Sequence, residues 1–230
     1  MFVRRRVDLK LTIDYILFDL DGTLTDPKEG ITKSIAYALK KLDAPCLDEK
    51  TLESFIGPPL IESFREICGF DISKAEAALT FYRERFKKVG LYENILYPGI
   101  EGLLSALRTK GITLAVATSK PTIFAEKILD HFNLNQYFDI VVGSNLDGTR
   151  TAKNEVIHEV LKQLSFPPKE NVVMIGDRKY DILGAKKEGI PCVAVGYGYG
   201  SQKELELSKP FHIVQSIQEL TAYFIHQDKE

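Results

Sequence analysis

Apolar residues in this chain gather in five short runs, separated by stretches in which they recur every three or four positions. The runs are Tyr15–Leu20, Thr113–Thr118, Phe138–Gly143, Val172–Gly176 and Cys192–Gly196. Three of them are nearly continuous, the pattern of strands buried on both faces of a parallel sheet. The intervening stretches carry helix punctuation. Pro98-Gly99 leads into a helix that runs to Lys110 and stops at Gly111. Pro121 suits the first position of the next helix, which carries Ile123, Phe124, Ile128 and Leu129 at helical spacing. Thr151 is placed to cap a helix bearing Val156, Ile157, Val160, Leu161 and Leu164 on one face. Ser216 with Glu219 reads as a capping box for the last helix. This alternation predicts an α/β fold, a doubly wound, Rossmann-like parallel sheet.

One segment breaks the alternation. Between Thr25 and Tyr97 lie four helical patterns and no convincing strand. Ile31–Leu42 and Lys74–Val89 are the clearest, the latter opened by a second capping box of Ser73 and Glu76. The pattern predicts a core of residues 1–24 and 96–230, with residues 25–95 inserted as a helical cap domain. Asp26-Pro27 and Pro98-Gly99 are the expected hinges. An insertion leaving the carboxyl end of a strand overhangs the place where open α/β sheets bind ligands, so it is a candidate lid.

Composition adds limits. With 230 residues, 44% of them hydrophobic and 27% charged, the chain has the material for one large globular unit with a sizeable insertion. A net charge of −2 leaves no electrostatic footprint for nucleic acid. The basic cluster Arg4-Arg5-Arg6 reads as a solvated extension, without the apolar stretch that a secretion signal places after such a cluster. No run approaches the ~20 apolar residues of a membrane span. Three scattered cysteines, Cys46, Cys68 and Cys192, offer neither a disulfide framework nor a metal pair. A cytoplasmic location is the expectation.

Four clusters carry candidate chemistry. In Phe18-Asp19-Leu20-Asp21-Gly22-Thr23-Leu24 two carboxylates stand two apart at a strand exit, where like charges resist joint ionisation unless a cation or proton intervenes. In Gly176-Asp177-Arg178-Lys179-Tyr180-Asp181 a strand-end carboxylate is followed by another about one helical turn later; hard cations take such oxygen ligands. Thr118-Ser119-Lys120-Pro121 places hydroxyls where a strand gives way to a helix, a setting suited to phosphate. Lys153 lies in the first turn of a helix, against the helix dipole, which is odd for structure and sensible for binding a dianion. Each cluster alone also has a plain structural explanation as a turn, a cap or a surface charge. All four fall in order at carboxyl ends of strands.

On these residues the chain resembles the haloacid-dehalogenase-like phosphatases, over nearly its whole length. The insertion resembles the small helical cap of their phosphoglycolate-phosphatase-like branch, including Phe55-Ile56-Gly57-Pro58-Pro59-Leu60. The resemblance implies Asp19 as nucleophile, Asp21 as general acid/base, and Thr118, Ser119 and Lys153 as phosphate-binding residues. It implies a Mg2+ site at Asp19, Asp21 (through its backbone carbonyl) and Asp177, supported by Asp181. It further implies a substrate loop at Gly57, Pro58 and Pro59. Asn154 follows Lys153 where that branch often has proline, and Arg150 stands three residues earlier as a rival. The expected activity is removal of phosphate from a small phosphorylated metabolite (phosphoglycolate, a nucleoside monophosphate, pyrophosphate or a sugar phosphate). A phosphomutase on the same core is the alternative, and a catalytically silent binding module a more distant one. His131, His158, His212 and His226 are expected at the surface or in packing, Phe81, Tyr82 and Phe86 in the cap's own core, and Gly196–Gly200 in a flexible loop.

Overall fold

A computed structural model describes residues 13–225. Arg4-Arg5-Arg6 and His226 lie outside that range. The chain opens with β1 (Tyr15–Phe18) and β2 (Thr25–Asp26), then α1 (Lys28–Lys41), α2 (Glu49–Glu53), α3 (Leu60–Cys68) and α4 (Ile72–Arg85). Helix α4 passes into a π-helical turn, Phe86–Gly90, before β3 (Ile95–Leu96). There follow α5 (Ile100–Thr109), β4 (Thr113–Pro121), α6 (Thr122–His131), β5 (Ile140–Ser144), α7 (Lys153–Gln163) and β6 (Val172–Gly176). The chain continues through α8 (Lys179–Glu188), β7 (Cys192–Val195), α9 (Gln202–Ser208), β8 (His212–Val214) and α10 (Ile217–Ile225).

Six strands form one sheet in the order β5-β4-β1-β6-β7-β8, with every pairing parallel. Helices cover both faces, and the strand residues sort between them with a period of two. Phe18, Val116, Ile175 and Val195 belong to one apolar cluster, with α5, α6, α10 and the inserted helices. Leu17, Ala117, Met174 and Ala194 belong to the other, with α7, α8 and α9. The sheet has one more strand than the apolar runs announced. β8 is three residues long and only Val214 is buried, so it leaves no run to see.

Two further differences concern the insertion and the caps. β2 and β3 pair antiparallel at the two ends of the insertion, Thr25 opposite Leu96 and Asp26 opposite Ile95. A two-residue ribbon is too short for alternation to register. The helix expected at Lys74 starts at Ile72 because Asp71, not Ser73, caps it, Oδ1 accepting from the Lys74 amide at 2.8 Å. Likewise Ala152, not Thr151, precedes α7, and α6 begins at Thr122 with Pro121 as its cap residue. The Ser216 cap is present: its hydroxyl accepts from the Glu219 amide at 3.1 Å, and Glu219 accepts from the Gln215 amide at 2.7 Å.

The fold positions a site by registering three neighbouring strand ends. Phe18 of β1 pairs with Val116 of β4 on one side and Ile175 of β6 on the other. The Asp19 amide continues the ladder, donating to the Ile175 carbonyl at 2.8 Å. The chain runs outward from β1 in one direction through β4 and β5, then crosses to β6, β7 and β8. That makes β1 the place where strand order reverses, and ligands bind beyond the carboxyl ends at such a point. Above it, the loop at Gly57-Pro58-Pro59 is pinned from both sides by an edge-to-face pair of buried rings, Phe55 before it and Phe64 after it, 5.3 Å apart. Phe64→Ala removes one of these rings from a fully buried position and is expected to destabilise the protein by about 3–5 kcal/mol in denaturant unfolding; a change within experimental error would show that the pair does not hold this region.

Candidate active site

At the strand ends the structure gathers Asp19, Asp177 and Asp181, each buried, with one oxygen from each lying within 4.8 Å of the others. Lys153 reaches into the same point. Its Nζ lies 2.9 Å from Asp19 Oδ1 and 2.8 Å from Asp181 Oδ1, and donates to the Ala117 carbonyl at 3.1 Å. The ammonium thus sits against the first turn of α7 and is held there by two carboxylates. Arg150 is engaged elsewhere, donating to the Gly143 carbonyl at 2.8 Å and to Asn145 Oδ1 at 3.0 Å. Of the two rivals, Lys153 is the one at the carboxylates.

Asp21 stands apart from this trio. The strand ends at Phe18, and a turn through Gly22 (φ +80°) sends the second carboxylate to a different partner. That partner is Lys120, whose Nζ lies 2.8 Å from Asp21 Oδ2 and 4.6 Å from the centroid of the Phe86 ring. Thr118 lies within β4, and its hydroxyl accepts from the Lys120 amide at 3.2 Å. Thr118 and Ser119 therefore precede the amino terminus of α6 instead of forming it, in the stretch where the β4–β5 register slips.

Burial governs the electrostatics. It pushes the Asp177 carboxyl well above the ordinary range, and the charges of Asp181 and Asp19 add to the shift, against the Tyr199 amide that donates to Oδ2 at 2.7 Å. Burial raises Asp181 to about 6, with Lys153 pulling the other way. It raises Asp21 too, against the opposing pull of Lys120. Burial alone would lower Lys153, but Asp181 and Asp19 outweigh it and raise the ammonium.

These features are the test of whether a metal fits. Three buried carboxylates face one ammonium, so ionising all three would leave two negative charges without a counterpart within the cluster. Asp177 Oδ1 is buried and meets no hydrogen-bond donor among the described residues. The approach to it is kept clear: a Cβ at Gly22 would collide with the Asp177 carboxylate. A hard dication with oxygen ligands answers both the charge deficit and the orphan oxygen. Asp19, Asp177 and Asp181 are the carboxylates that could hold it. Asp181, expected in support, stands level with the other two, whereas the Asp21 side chain faces Lys120.

Next to the acids opens a cavity of about 300 Å³. Asp19, Asp21, Thr118, Ser119 and Lys120 line its polar end; Phe55, Leu79, Tyr82, Phe86 and Phe124 supply apolar wall, and the loop Gly57-Pro58-Pro59 closes one side. Tyr82 and Phe86, expected as packing of the insertion, are stacked 5.1 Å apart and reach this cavity. The loop Gly196–Gly200 does more than border the site. Besides the Tyr199 amide on Asp177, the Tyr197 hydroxyl donates to the Thr23 carbonyl at 2.9 Å and that of Tyr199 to Asp26 Oδ1. Lys120, Tyr199 and Arg178 were not singled out by sequence reasoning. Lys120 had a visible sign, a lysine beside two hydroxyls at a strand end. His131, His158 and His212 are exposed and away from the site.

The arrangement is that of a phosphatase-class hydrolase. The haloacid dehalogenase-like hydrolase family matches residues 16–195, and the chain belongs to that family. A 5'-nucleotidase of Pseudomonas aeruginosa is 50% identical over 205 residues, covering 89% of this chain and 92% of the relative. Tyrosine-protein kinase PtkA of Mycobacterium tuberculosis is 43% identical over 185 residues; the match spans 80% of this chain but only 62% of PtkA. The crystal structure of a predicted phosphatase from Clostridium acetobutylicum superposes with a TM-score of 0.89 at 47% identity, over 93% of this chain and 99% of that one. Among the described residues no helix is long and apolar enough to cross a membrane.

Asp181 provides a pH test. Its folded value, about 6, lies above the ordinary 3.8, so its contribution to metal-free stability is complete below about pH 4 and is lost as the pH rises through 6. A dication must displace protons held by Asp177 and Asp181. Mg2+ is therefore expected to raise the Tm by a few degrees at pH 7.5 and by about half of that or less at pH 5.5. Equal shifts at both pH values, or an undiminished shift in Asp177→Asn, would place the ion elsewhere.

Proposed function

We propose that the protein hydrolyses a small phosphate monoester with Mg2+, through a phosphoaspartate on Asp19. The observation that carries the reading is the pairing of two unlike carboxylates at one cavity: Asp19 inside a cation-deficient cluster, and Asp21 outside it beside Lys120. Asp19, oriented by Lys153 on Oδ1, attacks the phosphorus in line and forms an acyl phosphate as the P–O bond to the leaving group breaks. Asp21, whose burial favours the protonated form, donates its proton to the departing oxygen. It then takes a proton from the water that opens the acyl phosphate, releasing inorganic phosphate and restoring Asp19. Lys153, Lys120 and the hydroxyls of Thr118 and Ser119 hold the phosphate oxygens. When bound, Mg2+ supplies Lewis-acid screening between the nucleophile and the phosphate, both anionic.

In the same reading, residues 25–95 are a cap and the cavity between cap and core selects the substrate. A volume near 300 Å³ with stacked Tyr82 and Phe86 in its wall favours a phosphate ester that carries a ring, as a nucleoside 5'-monophosphate does, over phosphoglycolate. The relative from P. aeruginosa named a 5'-nucleotidase supports that choice.

The reading is tested by phosphate release across a panel of nucleoside monophosphates, sugar phosphates, phosphoglycolate and pyrophosphate, with Mg2+ and with EDTA. Metal-dependent turnover highest on a nucleoside 5'-monophosphate is expected. Asp19→Asn is expected to remove turnover to background with Tm little changed. Substantial metal-dependent activity in that variant would sink the covalent route. Asp21→Asn is expected to slow alkyl esters by roughly a hundredfold or more and an activated aryl phosphate much less, since general acid help contributes about 10²–10⁴ where the leaving group needs a proton. Equal losses would take Asp21 out of the acid role.

A further inference from the structure

Arg178 stands between the two acids of its motif, Asp177 and Asp181, yet its side chain leaves the cluster. Its amide is fixed by Asp181, which accepts at 3.0 Å. Its guanidinium is held by Glu204 of α9: Nε donates to Oε1 at 2.9 Å and Nη2 to Oε2 at 3.5 Å. Glu204 Oε1 also accepts the Lys179 amide at 2.9 Å, and its own amide is capped by Ser201, so this acceptor is itself anchored. Backbone and fork are thus set by the α/β core alone. That leaves Nη1, and Nη1 donates to the carbonyl of Ile56 in the insertion.

Ile56 is buried and is followed directly by Gly57-Pro58-Pro59, the loop that lines the cavity. Gly57 records the contact a second time. Its φ is +107°, which favours glycine, and a Cβ there would stand 2.7 Å from Arg178 Nη1 and press on the guanidinium. Two prolines then fix the next two φ angles, which transmits the position of Ile56 along the loop. A flexible lysine could supply the charge but not the fork that reaches both oxygens of Glu204 and the Ile56 carbonyl at once.

We infer that Arg178 is a positioning residue, which registers the cavity loop of the insertion on the metal-site acids and so sets which phosphate esters fit. The assignment rests on the phosphatase reading above for its consequence in turnover, though not for the contact itself. The small reacting end of a substrate touches Asp19, Asp21 and the phosphate-binding residues, whereas the remote end meets the loop. Misplacing the loop loses remote binding energy and spares the reacting centre.

The experiment compares wild type with Arg178→Met and Glu204→Gln on two substrates: the fastest metabolite of the panel and p-nitrophenyl phosphate. For Arg178→Met, kcat/KM on the metabolite is expected to fall roughly ten- to a hundredfold, while the aryl phosphate stays within about threefold. Glu204→Gln is expected to lose less in the same direction, and the double variant no more than Arg178→Met alone, because Glu204 acts through the arginine. Amide hydrogen exchange gives a readout independent of turnover. Residues 55–62 are expected to exchange faster in Arg178→Met, with β6 and α8 as protected as in wild type. Proportionate loss on both substrates, or an unchanged exchange rate in residues 55–62, would overturn the assignment. A wild type inactive on every phosphate would overturn the functional reading, while exchange would still decide whether Arg178 holds the loop.

Discussion

Everything at this end of the sheet answers to one constraint: three carboxylates are buried together with a single ammonium among them. Like charges at this separation, taken out of water, repel strongly and shift toward their protonated forms. The fold tolerates the arrangement by surrounding it with partners that are individually modest. Lys153 divides its charge between Asp19 and Asp181, the Tyr199 amide serves Asp177, and the Arg178 amide serves Asp181. Glycines let the surrounding backbone close in on the acids. Burying like charges together costs stability, and carboxylates with raised titration in such a cluster are characteristic of functional sites. The strand order makes the gathering possible, since β1 and β6 are neighbours although 153 residues separate Phe18 from Val172 in the chain.

The insertion adds a second environment to the first. One end of the cavity is polar and charged, and the rest is aromatic and aliphatic wall to which α4 and the π-helical turn contribute Leu79, Tyr82 and Phe86. Phe86, the first residue of that turn, touches both. It stacks on Tyr82 within the insertion and carries the Lys120 ammonium on its face. A π-helical turn shifts the facing of residues relative to the preceding helix and is often found at functional sites. Here it places an aromatic ring against the cation that partners Asp21. Under the proposed function, acid–base chemistry and substrate selection would be in contact through a ring and an ammonium.

What could be read from the sequence follows from the range of each interaction. Five short apolar runs announced β1, β4, β5, β6 and β7, three of them nearly continuous because burial on both faces is written in consecutive residues. β8 and the β2–β3 ribbon are too short to leave that trace. The four inserted helices were legible from their periodicity, whereas Asp71 rather than Ser73 as a cap turns on a backbone conformation that composition does not encode. At the site, Asp19, Asp21, Thr118, Ser119, Lys153, Asp177 and Asp181 were picked out because their clusters fall in order at the carboxyl ends of strands and together resemble one family's pattern. Their pairing was not legible. That Lys153 serves Asp19 while Lys120 serves Asp21 depends on strand order, and the reach of Arg178 to Ile56 spans 122 positions. Local pattern names the participants; tertiary geometry assigns the partners.

The charge balance also orders the proposed chemistry. A phosphate dianion approaching the carboxylate cluster in its ionised form would meet two uncompensated negative charges, in surroundings where screening is weak. Neutralising the cluster is thus a condition for binding phosphate at all, not merely for the chemical step. Once that condition is met, the incoming dianion offers Lys120 a stronger partner than Asp21. Burial already raises the Asp21 carboxyl against the pull of Lys120, and losing that counter-charge would raise it further. On this reading the substrate's own charge loads the proton that its leaving group will need.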